Sequence, residues 1–170
     1  DHTLKVLKKD VQISEIIGME DYCYYRNKLQ YPVGTENGNP IMGVFAKRSH
    51  RIIQVNDCKL QNKECQEVAK SIFEFVKLNK ISGYNEETRK GLLRHIIVRI
   101  GVNTDEIMVI LVLNSWELPR ESSLIDFITN KHPKVKSIVK NLNNKNTNVI
   151  LGQENKTIYG DGYIFDYLLD

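Results

Sequence analysis

Cysteine is scarce in this chain of 170 residues: Cys23, Cys58 and Cys65 are all there are, and no two form a C-x-x-C pair. An odd count without paired spacing argues against a disulfide framework and fits thiols kept in a reducing, cytoplasmic setting. The sequon Asn155-Lys156-Thr157 then has no glycosylation to report. Long apolar runs are missing as well. The longest, Ile107 to Leu113, is strand length and falls far short of the roughly 18–20 residues of a membrane span. The opening residues lack an apolar core and a small-residue cleavage site, so no secretory signal is visible, and Asp1 in place of Met points to a piece of something longer.

Catalytic signatures are equally thin. No Gly-rich loop follows a strand in the dinucleotide or P-loop pattern, and there is no G-x-S-x-G elbow, no H-E-x-x-H and no Cys/His metal cluster. His2, His50, His95 and His132 are scattered along the chain. Nothing in this inventory runs a reaction unaided.

What is present is a globular composition, 41% hydrophobic and 26% charged, which disfavours both disorder and coiled coil. The net charge of +3 hides a segregation. Between Asp126 and Glu154 there is no acid, while Lys131, Lys134, Lys136, Lys140 and Lys145 fall there; all the arginines except Arg120 lie from Arg26 to Arg99. Such segregation lets a nearly neutral protein present one positive face to a polyanion, although a solvated mixed-charge surface reads the same way.

The periodicities predict an α+β domain. Leu4–Lys9 reads as the end of a helix, and Val11–Ile16 as a strand. Tyr24–Val33 and Ile41–Phe45 form a hairpin around the turn-rich Gly34–Pro40, and Ile52–Val55 is a further strand. Asn62–Leu78 is an amphipathic helix, followed by a second hairpin of Leu92–Ile100 and Glu106–Leu113. Arg120–Lys131 is a second helix, opened by Pro119 and closed before Pro133. Val135–Leu142, Asn148–Leu151, Lys156–Tyr159 and Tyr163–Leu168 are short strands. The order approximates two ββα-like halves joined by hairpins, giving a mainly antiparallel sheet with the helices packed on one side.

Three segments carry binding chemistry. Tyr24–Gln30 interleaves aromatics, cations and amides; Phe45–Arg51 holds three fixed cations and no acid; Arg89–Arg99 repeats the theme. On a sheet face Arg and Lys grip phosphates while Asn and Gln read base edges or 2′-hydroxyls. A regular strand puts Arg94 on the opposite face from Arg99. With cations on strands and loops and no helix-turn-helix signal, RNA fits better than duplex DNA.

The same segments resemble a known family. Tyr25–Gly34 (Tyr-Arg-Asn-Lys-Leu-Gln-Tyr-Pro-Val-Gly), preceded by Ile17–Asp21, is similar to the RNA uracil-C5 methyltransferases, in particular the branch making 5-methyluridine in 23S rRNA. Gly43–His50, Gly91–His95 with Val98-Arg99, Ser137–Asn141, Thr147–Gly152 and Ile158–Ile164 match in the same order, so the resemblance covers nearly the whole chain. It implies three modules in the parent: an RNA-binding β-barrel, a central domain and a C-terminal domain binding S-adenosylmethionine. Residues 1–170 resemble the central one alone. The family's nucleophilic Cys, in an Asp-Pro-Pro-Arg-x-Gly-Cys type motif, has no counterpart here; Leu118-Pro119-Arg120 does not substitute for it.

By the same resemblance Cys58 matches the fourth ligand of a 4Fe–4S cluster whose other three cysteines would precede Asp1, so no cluster is expected in this chain. Cys23 and Cys65 match no ligand position. The expected role is rRNA recognition by a non-catalytic, monomeric domain through Arg26, Lys28, Gln30, Lys47, Arg48, His50, Arg94 and His95, with the Asn-rich stretch Asn141–Asn148 as a further contact. Two other readings stay open: a stand-alone RNA-binding protein, and a structural, cluster-carrying bridge between the outer modules.

Overall fold

The computed structural model describes residues 14–168. The Leu4–Lys9 helix lies outside these residues, as does the first half of the Val11–Ile16 strand; Ser14–Ile16 form no strand.

The chain runs β1 (Lys28–Glu36), β2 (Asn39–Phe45), β3 (Ile52–Gln54), α1 (Lys63–Leu78), β4 (Leu93–Ile100), β5 (Ile107–Leu113), α2 (Glu121–Lys131), β6 (Val135–Leu142) and β7 (Glu154–Tyr159). These strands make one seven-stranded sheet in the order β3-β2-β1-β4-β5-β6-β7. All neighbours are antiparallel except β5 and β6, which are parallel and joined through α2. The expected α+β class with a mainly antiparallel sheet is therefore present. The two ββα-like halves are not: three strands precede α1, two follow α2, and β5-α2-β6 is a crossover.

Both helices cover the same face. Asn62 caps α1, its Oδ1 accepting from the Glu64 and Cys65 amides at 2.9 and 3.2 Å. From there α1 buries Cys65, Val68, Ala69, Ile72, Phe75 and Val76. α2 starts one residue after Arg120, which sits in the left-handed region at φ +56° without a side-chain cap, and buries Leu124 and Ile128. Phe75 and Phe127 join the helices, their ring centroids 5.8 Å apart. Beneath them lie Leu29, Tyr31 and Val33 of β1, Ile96 and Val98 of β4, and Val109 and Leu111 of β5. Each fully buried aliphatic side chain there contributes about 1.5–3 kcal/mol.

Three strand expectations change. Residues before Lys28 leave the sheet: Tyr24 adopts φ +57°, and the Tyr24 and Arg26 amides donate to Lys59 and Leu60 carbonyls in the approach to α1. Asn148–Leu151 forms a loop, because the Asn143 side-chain amide takes the Val149 and Ile150 carbonyls. Tyr163–Leu168 is an extended tail held by side chains: Asp166 accepts from the Val102 and Asn103 amides, and Thr104 donates to Phe165 O. Among the described residues no helix is long and apolar enough to cross a membrane.

Candidate nucleic-acid interface

Because side chains alternate along a strand, the register fixes what shares the face away from the helices. Lys28 pairs with Arg99, Gln30 with Ile97, and Pro32 with His95. Lys28 and Arg99 are both exposed, Gln30 is half-buried, and His95 is buried. Lys28 and Pro32 are four residues apart, so the two ends of this row are separated by roughly 13 Å. Arg26 lies just beyond the first end, exposed, at an isolated bridge to Gln61.

At the second end stands the loop from Ala46 to Arg51. It is closed by the Ala46 amide donating to Arg51 O at 2.8 Å and by Ser49 N donating to Ala46 O at 3.1 Å. Arg48 turns the chain at φ +57°, leaving Lys47, Arg48, His50 and Arg51 exposed. Phe45 leads into this loop and anchors it by edge-on ring packing, 5.7 Å from His50 and 6.2 Å from His95.

Arg94 and His95 are placed differently from the other expected contacts. A bulge between Leu93 and His95 breaks the regular alternation, so Arg94 shares a cavity wall with Pro32, Gly34 and Phe45 instead of facing α1. Its guanidinium is 3% exposed and already engaged. Nη1 donates to the carbonyls of Asn143 and Lys145 at 2.8 and 3.0 Å, Nη2 stands 3.4 Å from Glu86, and the group stacks 4.2 Å over the Tyr84 ring. Arg94 therefore holds the Asn-rich loop in place. His95 is 4% exposed, with neither ring nitrogen bonded to another protein group. Burial, aided by the charge of Arg94, pushes its pKa down to about 4, so it stays a neutral imidazole.

The Asn-rich stretch is likewise turned inward at its start. Asn141 donates to Gly152 O, Glu154 O and Asn155 Oδ1 and accepts from Gly152 N, while Asn143 ties Val149 and Ile150. Asn144 and Asn146 remain exposed.

Between the Ala46–Arg51 loop and Tyr84–Glu87 opens a cavity of about 470 Å³, within the range of small-ligand sites. The wall at Tyr84 exists because its amide donates to both Val33 O and Leu93 O, wedging the segment between β1 and β4. Gly83 permits this: a Cβ there would stand 2.0 Å from Gly34 O. Tyr84, Asn85 and Glu86 were not apparent as site residues from sequence; the turn dipeptides around Gly83 and Gly91 were the available signal.

Cys58 lies in the loop before α1, half-buried, with its backbone clamped by the buried Gln66: Cys58 N donates to Gln66 Oε1 at 2.7 Å and Gln66 Nε2 donates to Cys58 O at 3.1 Å. Tyr31's hydroxyl, pushed up to about 12 by burial and by the nearby Cys58 and Asp57, lies buried without a partner. Cys65 is fully buried on α1, its thiol also pushed up to about 12 by burial. Among the described residues no three His, Cys, Asp or Glu side chains gather as a metal set, so these residues do not fit a complete cluster site. Nor do they fit S-adenosylmethionine, since no strand here runs through a Gly-rich turn into a helix.

No family model matches the sequence. The chain is 44% identical over 160 residues to an uncharacterized RNA methyltransferase of Halalkalibacterium halodurans, covering 94% of this chain and 35% of that protein. A second, from Clostridium acetobutylicum, is 44% identical over 158 residues, covering 93% and 34%. A third, from Staphylococcus aureus, is 40% identical over 160 residues, covering 94% and 35%. The fold is similar to that of the Pyrococcus abyssi tRNA (uracil-54, C5)-methyltransferase, solved with S-adenosyl-L-homocysteine, at TM-score 0.69 and 22% identity over 91% of this chain and 35% of that one. The chain is thus related in sequence to about a third of the length of curated RNA methyltransferases, and it has the fold of a comparable share of a tRNA uracil-C5 methyltransferase.

Proposed function

We propose that this chain is the central, substrate-recognition part of a cytoplasmic, S-adenosylmethionine-dependent methyltransferase that forms 5-methyluridine in 23S rRNA. The observation that carries the reading is the sequence relationship to RNA methyltransferases along almost the whole chain. The structure supplies the surface such a part needs: an exposed Lys28–Arg99 pair at one end of a helix-free sheet face and the Lys47–Arg51 loop at the other, with Gln30 between. These cations engage phosphates, while Gln30 reaches base edges or 2′-hydroxyls.

In this reading the nucleophilic Cys and the cofactor are supplied by the rest of the protein. Addition of that Cys to C6 activates uracil C5 for methylation, which requires the base to leave its stack. This chain's residues hold the flanking RNA during that step. Cys58, clamped by Gln66, would be one ligand of a cluster completed by cysteines outside residues 14–168.

The test is RNA binding by the chain to 23S rRNA hairpins across a salt titration, with tRNA as competitor. Micromolar binding is expected, and replacing both Lys28 and Arg99 by Ala should flatten the slope of log K against log salt by about 1.4, at roughly 0.7 per phosphate contact. Absence of binding at low salt would overturn the recognition role in favour of a structural bridge. Stronger binding to tRNA would overturn the rRNA assignment alone.

A further inference from the structure

The cavity beside the Ala46–Arg51 loop has features that general phosphate binding does not require. Its lining brings together Phe45, His50, the Tyr84 ring on which Arg94 stacks, and the acidic residues Glu86 and Glu87. Arg94 lines it too, and although its Nη atoms are held by carbonyls and Glu86, its Nε–H has no partner while the side chain is 3% exposed. That N–H is enclosed by the protein, so what Arg94 offers a ligand in the cavity is its fixed positive charge. The carbonyls that fix the group also leave it preorganised to receive a ligand.

Aromatic walls select a flat ring. Carboxylates select N–H donors on that ring, and the arginine selects a ring acceptor beside them. Guanine meets both demands at once, through N1–H and its amine toward Glu86 or Glu87 and through O6 or N7 toward Arg94. Adenine and cytosine offer an amine with one acceptor edge. Uracil offers a single N–H between two carbonyl oxygens, which the carboxylates repel.

Resting on the RNA-recognition reading above, we infer that this cavity takes one unstacked guanine of the bound RNA, separate from the uracil that is methylated. Arg51 and the exposed Lys47 and Arg48 of the same loop meet the adjoining phosphates. One flipped base held here fixes the register of the strand, which phosphate contacts alone do not.

Calorimetric titration of the chain with GMP, AMP, CMP and UMP tests the inference, alongside hairpins carrying one unpaired G or U. GMP should bind about tenfold or more tighter than UMP, in line with the discrimination of a bidentate base contact. Glu86→Gln should abolish most of that preference. Phe45→Ala should weaken every nucleotide by about tenfold through lost stacking. Equal binding of GMP and UMP, or none at millimolar concentration while hairpins still bind, would overturn the guanine site and leave the RNA reading standing. Binding of GMP without any hairpin binding would support the cavity and overturn the RNA reading.

Discussion

Replacing Arg94 should damage the fold before it damages recognition. The side chain is buried, its Nη1 donates to two loop carbonyls at 2.8 and 3.0 Å, and its face stacks 4.2 Å from Tyr84. A hydrogen bond from a charged donor contributes about 1.5–3 kcal/mol net. Arg94→Ala removes both, but Lys145 is exposed and water recovers part of the loss at its carbonyl. The loose contact with Glu86, at 3.4 Å to a carboxylate 26% exposed, adds little. The expected destabilisation is about 3 kcal/mol, or a melting temperature lowered by roughly 6–12 °C in a chain of this size. Urea unfolding measures the first and calorimetry the second, while amide exchange should show loss of protection between Asn143 and Gly152. Arg94→Lys should fall between, since an ammonium lacks the planar fork that meets two carbonyls and an aromatic face together. Arg26→Ala and Arg48→Ala, at exposed positions, should stay within about 0.5 kcal/mol of the parent. An Arg94→Ala protein as stable as those controls would refute the assignment of this arginine to the loop.

Acid should weaken the fold through His95. Its folded pKa, about 4, lies below the value of 6.5 for a free imidazole, so its contribution is whole above that value and is lost as pH falls towards 4, amounting to about 2 kcal/mol between pH 7.5 and 5. His132, lowered by burial and by Lys131, adds a slope of the same sign, so the check is the difference between the parent and His95→Gln; identical pH slopes in urea midpoints would sink the argument. Gln66→Leu should destabilise by about 2–3 kcal/mol, because it strips partners from the Cys58 amide and from the Cys58 and Gln61 carbonyls. It should also speed alkylation of Cys58 several-fold; an unchanged rate would show that Gln66 does not hold the loop.

The elements built on local patterns were legible in the sequence. Alternation marked the core of β1, short apolar-rich runs marked β4 and β6, and Asn62 followed by an apolar stripe at helical spacing marked α1. The parallel direction of β6 against β5 was not legible. The stretch between β5 and β6 contains a helix and is long enough for a crossover, but nothing local distinguishes that from a return for antiparallel pairing. The bulge at Arg94 carries no Gly or Pro to announce it. The partners that bury this arginine, Asn143 and Lys145, lie 49 and 51 residues further along the chain. For the site, exposed cations on the loop and on β1 were found by composition, whereas the cavity wall at Tyr84 depends on close backbone approaches at Gly83 and Gly91.

That difference bears on how mutations in the basic segments should be interpreted. The helix-free face ends in loops too short to bury an apolar core of their own, and buried polar side chains fasten them instead: Arg94, Asn141 and Asn143 each hold backbone carbonyls across several residues. A satisfied buried network of this kind makes a loop rigid, which a base-reading cavity needs, but it also ties the cavity's shape to the stability of the sheet end. Arg94 belongs to both: Nη1 holds the loop carbonyls, Nη2 reaches Glu86, and the side chain lines the cavity wall. Loss of RNA binding on replacing it would follow from a displaced loop as readily as from a lost base contact. Loss on replacing Lys28, Arg99 or Arg48 has no such second route, because those side chains are exposed. Recognition is therefore measured by the exposed cations and by Glu86→Gln, with Arg94 as the measure of how far the fold itself prepares the site.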